Sequence, residues 1–144
     1  MSDRAFLDTN VLVYAVDEAE PEKRDIARRL LGSTGYGQFV LSTQILSEFY
    51  VVATRRLTQP VGEDAAAAAV DRLGQLPMVT IDPALVKDAI GLSRSSQVSY
   101  WDGLILAAAA KGGCQRLLTE DLNDGQTIGS VRIENPFLAP KESR

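Results

Sequence analysis

Residues 99–121, SYWDGLILAAAAKGGCQRLLTED, pass from a helix-forming run through a glycine pair into a short apolar segment that ends on acids. Ser99 stands where an N-cap would, with Asp102 three residues on, and Gly112-Gly113 supplies the stop. Residues 115–118 (QRLL) then read as a brief strand. The same alternation extends in both directions. Residues 4–7 (RAFL), 38–41 (QFVL), 77–81 (PMVTI) and 131–133 (VRI) are further short runs bounded by polar or turn residues. Between them, helical spacing covers about 10–16, 21–32, 43–56, 62–74 and 83–95, and Asp82-Pro83 pairs an N-cap with a proline at the first helical position. Strands alternating with helices predict an α/β fold in three layers, α/β/α, around a central parallel sheet of roughly five strands.

The 144 residues fit one domain, 1–144, and a hydrophobic fraction of 45% with 24% charged residues is ordinary for a globular chain. The last residues, PFLAPKESR, read as a poorly ordered end. No apolar run approaches the ~18–20 residues of a membrane span, and MSDRAFLDTN lacks the layout of a signal peptide, so a cytoplasmic location with no membrane contact is expected. Cys114 is the single cysteine, which excludes an internal disulfide and a thiolate zinc cluster and reads as a packing residue. The chain has no histidine, so any acid–base or metal chemistry must run on carboxylates. A net charge of −4 gives no general attraction to nucleic acid, which would need a local basic patch or a metal ion.

In an open parallel sheet the ligand site lies outside the carboxyl ends of the strands. Asp8 follows the first strand, in FLDTN, and Asp121 follows the fourth, in LLTED; Asp82 follows the third, where its capping role suffices. Glu48 sits at the margin of the apolar arc formed by Ile45, Leu46, Phe49, Val52 and Ala53, and Asp102 lies in the first turn of its helix. Each acid has a simpler explanation: a helix cap for Asp8, a solvated face for Glu48, a capping box with Ser99 for Asp102, an Asx-turn for Asp121. Together at converging element ends they would repel one another unless a cation intervened. Oxygen-only ligands point to a hard divalent ion, Mg²⁺ with Mn²⁺ able to substitute, and such an ion suits phosphodiester hydrolysis.

These segments resemble the PIN domain family, in particular the VapC-type toxin nucleases of VapBC toxin–antitoxin systems. The matching pieces are FLDTNVLVYA, LSTQILSEFY, SYWDGLILAAA and LLTEDLNDGQ, in the family's order and across nearly the whole chain. The resemblance implies a Mg²⁺- or Mn²⁺-dependent endoribonuclease with catalytic acids Asp8, Glu48, Asp102 and Asp121. Asp8 and Asp102 would be the principal metal ligands, while Glu48 and Asp121 would complete the pocket, position water or hold a second ion. Thr9, Asn10 and Thr119 would orient the acids. Asp121 takes the fourth place over Glu120 and Asp124 because it stands two residues after Thr119. The resemblance also implies RNA as substrate, a cognate antitoxin and a homodimer.

Arg55, Arg56, Arg94 and Lys111 are candidate phosphate contacts, and Phe49, Tyr50 and Trp101 candidate contributors to a partner groove, although a solvated surface and core packing explain the two sets more simply. A catalytically inactive binding module of the same fold would be expected to lack one of the acids. A metal-dependent phosphatase using Asp8 would be expected to show Asp-x-Asp, where residues 8–10 are Asp-Thr-Asn.

Overall fold

The computed structural model describes residues 3–33, 35 and 37–138. Strand β1 (Arg4–Leu7) leads through α1 (Thr9–Tyr14) and α2 (Pro21–Leu31) to β2 (Gln38–Ser42), and α3 (Thr43–Arg55) and α4 (Glu63–Leu73) lead on to β3 (Met78–Val79). The chain then returns through α5 (Pro83–Ser96) and α6 (Tyr100–Lys111) to β4 (Arg116–Leu118), and ends in β5 (Thr127–Ile128) and β6 (Val131–Glu134). The strand order is β3-β2-β1-β4-β6-β5, parallel except for β5, which pairs antiparallel with β6. The expected five strands and their parallel pairing are present. The sixth, β5, is a two-residue edge strand too short to leave a period in the sequence.

This order fixes where a site can be. From β1 the chain moves to β2 and then β3 on one side; from β3 it crosses back to β4 on the other side of β1. Right-handed crossovers then place α1–α4 on one face of the sheet and α5 and α6 on the opposite face. Accordingly α1 packs on α2 and α3, α3 on α4, and α5 along α6, which itself lies on β2, β4 and β6. The order reverses between β1 and β4, so the two strands diverge into their loops at a crevice over their carboxyl ends.

Burial follows the same plan. Phe6, Leu7, Leu41, Leu117, Leu118 and Ile133 are fully buried strand residues, and Phe49, Leu85 and Leu106 seal the helices onto them. Helix α6 is buried from Gly103 to Ala109, which explains its near-continuous apolar sequence. Gly103 is a contact requirement: a Cβ there would stand 2.7 Å from the Ala89 carbonyl of α5. Gly113, at φ +73°, supplies the left-handed turn after α6. Cys114 is buried, and burial pushes its thiol up to about 11, as a packing residue requires. Of the residues 136–144 expected to be loose, 139–144 lie outside the described residues. Phe137, in contrast, packs edge-on against Tyr14 with ring centroids 4.9 Å apart.

Candidate active site

Asp8 leaves β1 as the N-cap of α1, and its backbone N–H donates to Leu118 of β4 at 3.1 Å, so both strand ends grip the same residue. Its carboxylate is 5% exposed. Oδ1 accepts the Thr9 N–H and Oδ2 the Thr119 hydroxyl, each at 2.7 Å. The capping role is therefore real, but it occupies one oxygen of a buried acid whose second oxygen is held from β4. Burial pushes the carboxyl up to about 6; the Thr119 and Thr9 hydrogen bonds oppose this, and the charges of Asp121 and Glu48 add to it.

Thr119, fully buried, joins three groups. Its hydroxyl donates to Asp8 and accepts from the Asp121 N–H at 3.1 Å and from Asn10 Nδ2 at 3.3 Å. Asn10 Nδ2 also donates to Asp121 Oδ2 at 3.1 Å. Asp121 is thus turned toward Asp8, and the Asx-turn reading is replaced by a turn built on the Thr119 hydroxyl. Its rivals are occupied elsewhere. Glu120 is ion-paired to Lys23 at 2.9 Å and accepts from the Tyr14 hydroxyl, and Asp124 accepts the Asn135 N–H at 2.8 Å.

Glu48 and Asp102 arrive from opposite faces of the sheet. Helix α3 begins at the carboxyl end of β2, and its second turn brings Glu48 to Thr9, whose hydroxyl donates to Oε1 at 2.8 Å. Helix α6 runs toward the start of β4, so its N-terminus lies at the same edge. Ser99 caps it by accepting the Asp102 N–H at 3.0 Å. The reciprocal half of the capping box is absent among the described residues, leaving the half-buried Asp102 carboxylate to the cleft.

All four acids, with Thr9 and Asn10, line one cleft of 640 Å³; Thr119 supports it from beneath. Asp17, Arg56 and Trp101 also line it. The sequence reading did not single out Asp17, a buried turn residue that accepts the Ala19 N–H at 3.1 Å. Arg56 is the one residue of the proposed phosphate-contacting set in the cleft. Arg55 faces Glu63, and Lys111 lies at the far end of α6, about 14 Å from Asp102 by helical rise. Phe49 is core, as expected, whereas Trp101 is 61% exposed, contrary to the core packing favoured for it.

The donor set is oxygen-only, as a hard cation prefers, and Asn10 Oδ1 is buried without a hydrogen-bond partner among the described residues. Among the described residues no three ligating side chains stand close enough to enclose an ion unaided. An oxygen-only donor set fits a hard divalent cation that keeps part of its water shell.

The PIN domain family profile matches residues 5–123. The chain belongs to the PIN domain family. No curated protein sequence matches it. Among solved structures, this PIN domain is similar to VapC20 of Mycobacterium tuberculosis, described as a sarcin-ricin loop cleaving toxin. The identity is 25% with a TM-score of 0.62, covering 78% of this chain and 86% of that one. A toxin–antitoxin complex from Klebsiella pneumoniae matches at 20% identity and TM-score 0.66, covering 92% and 98%. DNA-bound VapBC from Salmonella typhimurium matches at 20% and 0.62, covering 93% and 98%. The last two matches support the PIN fold alone. No described helix of this PIN domain is long and apolar enough to cross a membrane.

Proposed function

We propose that the chain is a Mg²⁺-dependent endoribonuclease, with Mn²⁺ able to substitute, acting as the toxin of a type II toxin–antitoxin pair. The carrying observation is the delivery of Asp8, Glu48, Asp102 and Asp121 from four elements to one cleft at the reversal point of a parallel sheet. Membership of the PIN domain family and the likeness to VapC20 support RNA as the substrate. The toxin–antitoxin complexes among the structural relatives favour a cognate antitoxin as partner. A homodimer and a cytoplasmic location complete the reading.

Asp8 and Asp102 would hold the metal, which supplies charge to polarise the phosphoryl group and to acidify water. Thr119 and Thr9 fix the Asp8 carboxylate so that one rotamer faces the cleft. Asn10 steadies Asp121. Among the described residues Glu48 is anchored through Oε1 alone, which leaves Oε2 to orient an attacking water and accept its proton.

The test is incubation of the purified, antitoxin-free chain with total RNA in Mg²⁺, in Mn²⁺ and in EDTA, beside Asp102→Asn. Discrete cleavage that requires metal and is lost in the variant is expected. Metal-independent cleavage, or full activity in Asp102→Asn, would refute the assignment.

A further inference from the structure

Five carboxylates, those of Asp8, Asp17, Glu48, Asp102 and Asp121, line the cleft with a single cationic side chain among the described lining residues, that of Arg56. Arg56 follows α3 as its C-cap and is exposed, and among the described residues its guanidinium makes no ion pair. An exposed guanidinium on the wall of an acidic cleft is placed to meet an anion that arrives from outside. It stands about 12 Å along α3 from Glu48 by helical rise, so it meets a different phosphate from the one at the acids.

On the other side of the cleft, Trp101 immediately precedes Asp102 and is 61% exposed. Its ring meets Tyr100 edge-on, with centroids 5.0 Å apart, and otherwise stands open to solvent. An exposed aromatic beside a phosphate-cleaving centre is a platform on which an unpaired base can stack.

We infer that Trp101 and Arg56 form the substrate-positioning pair of the cleft. Trp101 stacks the unpaired nucleobase flanking the scissile phosphate, and Arg56 binds a neighbouring backbone phosphate. This rests on the ribonuclease reading above and names the residues that position an unpaired stretch of its RNA. A protein-partner patch is less well supported, because an apolar partner would leave the guanidinium unpaired.

Trp101 is the only tryptophan in the chain, so its fluorescence reports on this residue alone. The experiment titrates the full-length Asp102→Asn chain in Mg²⁺ with a fluorescein-labelled single-stranded RNA oligonucleotide, following indole emission and RNA anisotropy in parallel. Emission should be quenched with the same midpoint as the anisotropy. Adding Trp101→Leu should weaken binding roughly tenfold. Arg56→Ala should weaken it and lower the slope of log K against log salt by about 0.7, one phosphate contact. RNA binding with unchanged emission and undiminished affinity in Trp101→Leu would overturn the inference while leaving the nuclease intact. So would emission that shifts with protein concentration alone, which would place Trp101 between two copies. A wild-type chain that neither binds nor cleaves RNA would overturn both readings.

Discussion

Asp8 shows how the candidate site trades against stability. Its carboxyl titrates at about 6 in the folded chain against 3.8 for the free side chain. The folded state therefore holds an extra proton between these values, and stability falls as pH rises through that window. Above pH 6 the full penalty applies, about 3 kcal/mol as an order of magnitude. Metal-free Asp8→Asn should accordingly melt at higher temperature than the wild type at pH 7.5, with the gap closing toward pH 4. Mg²⁺ should raise the melting temperature of the wild type more than that of the variant. Differential scanning fluorimetry across pH, with and without Mg²⁺, checks both. Asp8 was legible because a polar residue directly after a buried strand has few places to go, and Asp121 through its spacing two residues after Thr119 at the end of β4. Glu120 and Asp124 could be set aside only once Lys23 and Asn135 were seen to engage them. Asp17 carried no local signal, and Arg56 stood undistinguished beside Arg55, Arg94 and Lys111, since the place of both in the cleft depends on how α1 and α3 lie against each other.

Helix α6 aims Asp102, and its aim depends on how closely it approaches α5. Gly103→Ala would drive a methyl to 2.7 Å from the Ala89 carbonyl and 3.3 Å from the Ser93 N–H, both backbone atoms of α5. We expect a loss of about 1–3 kcal/mol together with reduced cleavage, because the helix start must move and Asp102 with it. Gly91→Ala, on α5 with open space around the new methyl, should instead gain up to about 1 kcal/mol and leave cleavage unchanged. Chemical denaturation of the two variants makes the comparison. The helices themselves were legible through their caps: Asp82 accepts the Leu85 N–H at 2.8 Å, as the Asp-Pro pair predicted. Trp101 was misread because an aromatic beside an apolar run looks like core. Helix α6 is buried from Gly103 to Ala109, and Trp101, two residues before that stretch, lies outside it.

The family profile ends at residue 123, but the packing does not. Strand β6 pairs with β4 along Arg116–Leu118, and its Val131 and Ile133 are 1% and 0% exposed. Without it, β4 becomes a bare edge and its apolar partners meet water. A chain stopped after residue 123 should therefore fail to give a cooperative thermal transition by circular dichroism, whereas the full chain should unfold in one step. The parallel sheet and its covered faces were readable from the alternation of strand and helix. The strand order was not, because nothing in a linear pattern says that β4 returns to lie beside β1. That return has a consequence for synthesis. The Asp8–Thr119 bond joins residues 111 positions apart, so the ribosome delivers β4 long after Asp8. A nascent or prematurely terminated chain carries Asp8, Glu48 and even Asp102 with nothing to hold them in register. The cleft comes into being only once residues 119–121 have been made, so fragments that stop short of them are born without an assembled centre.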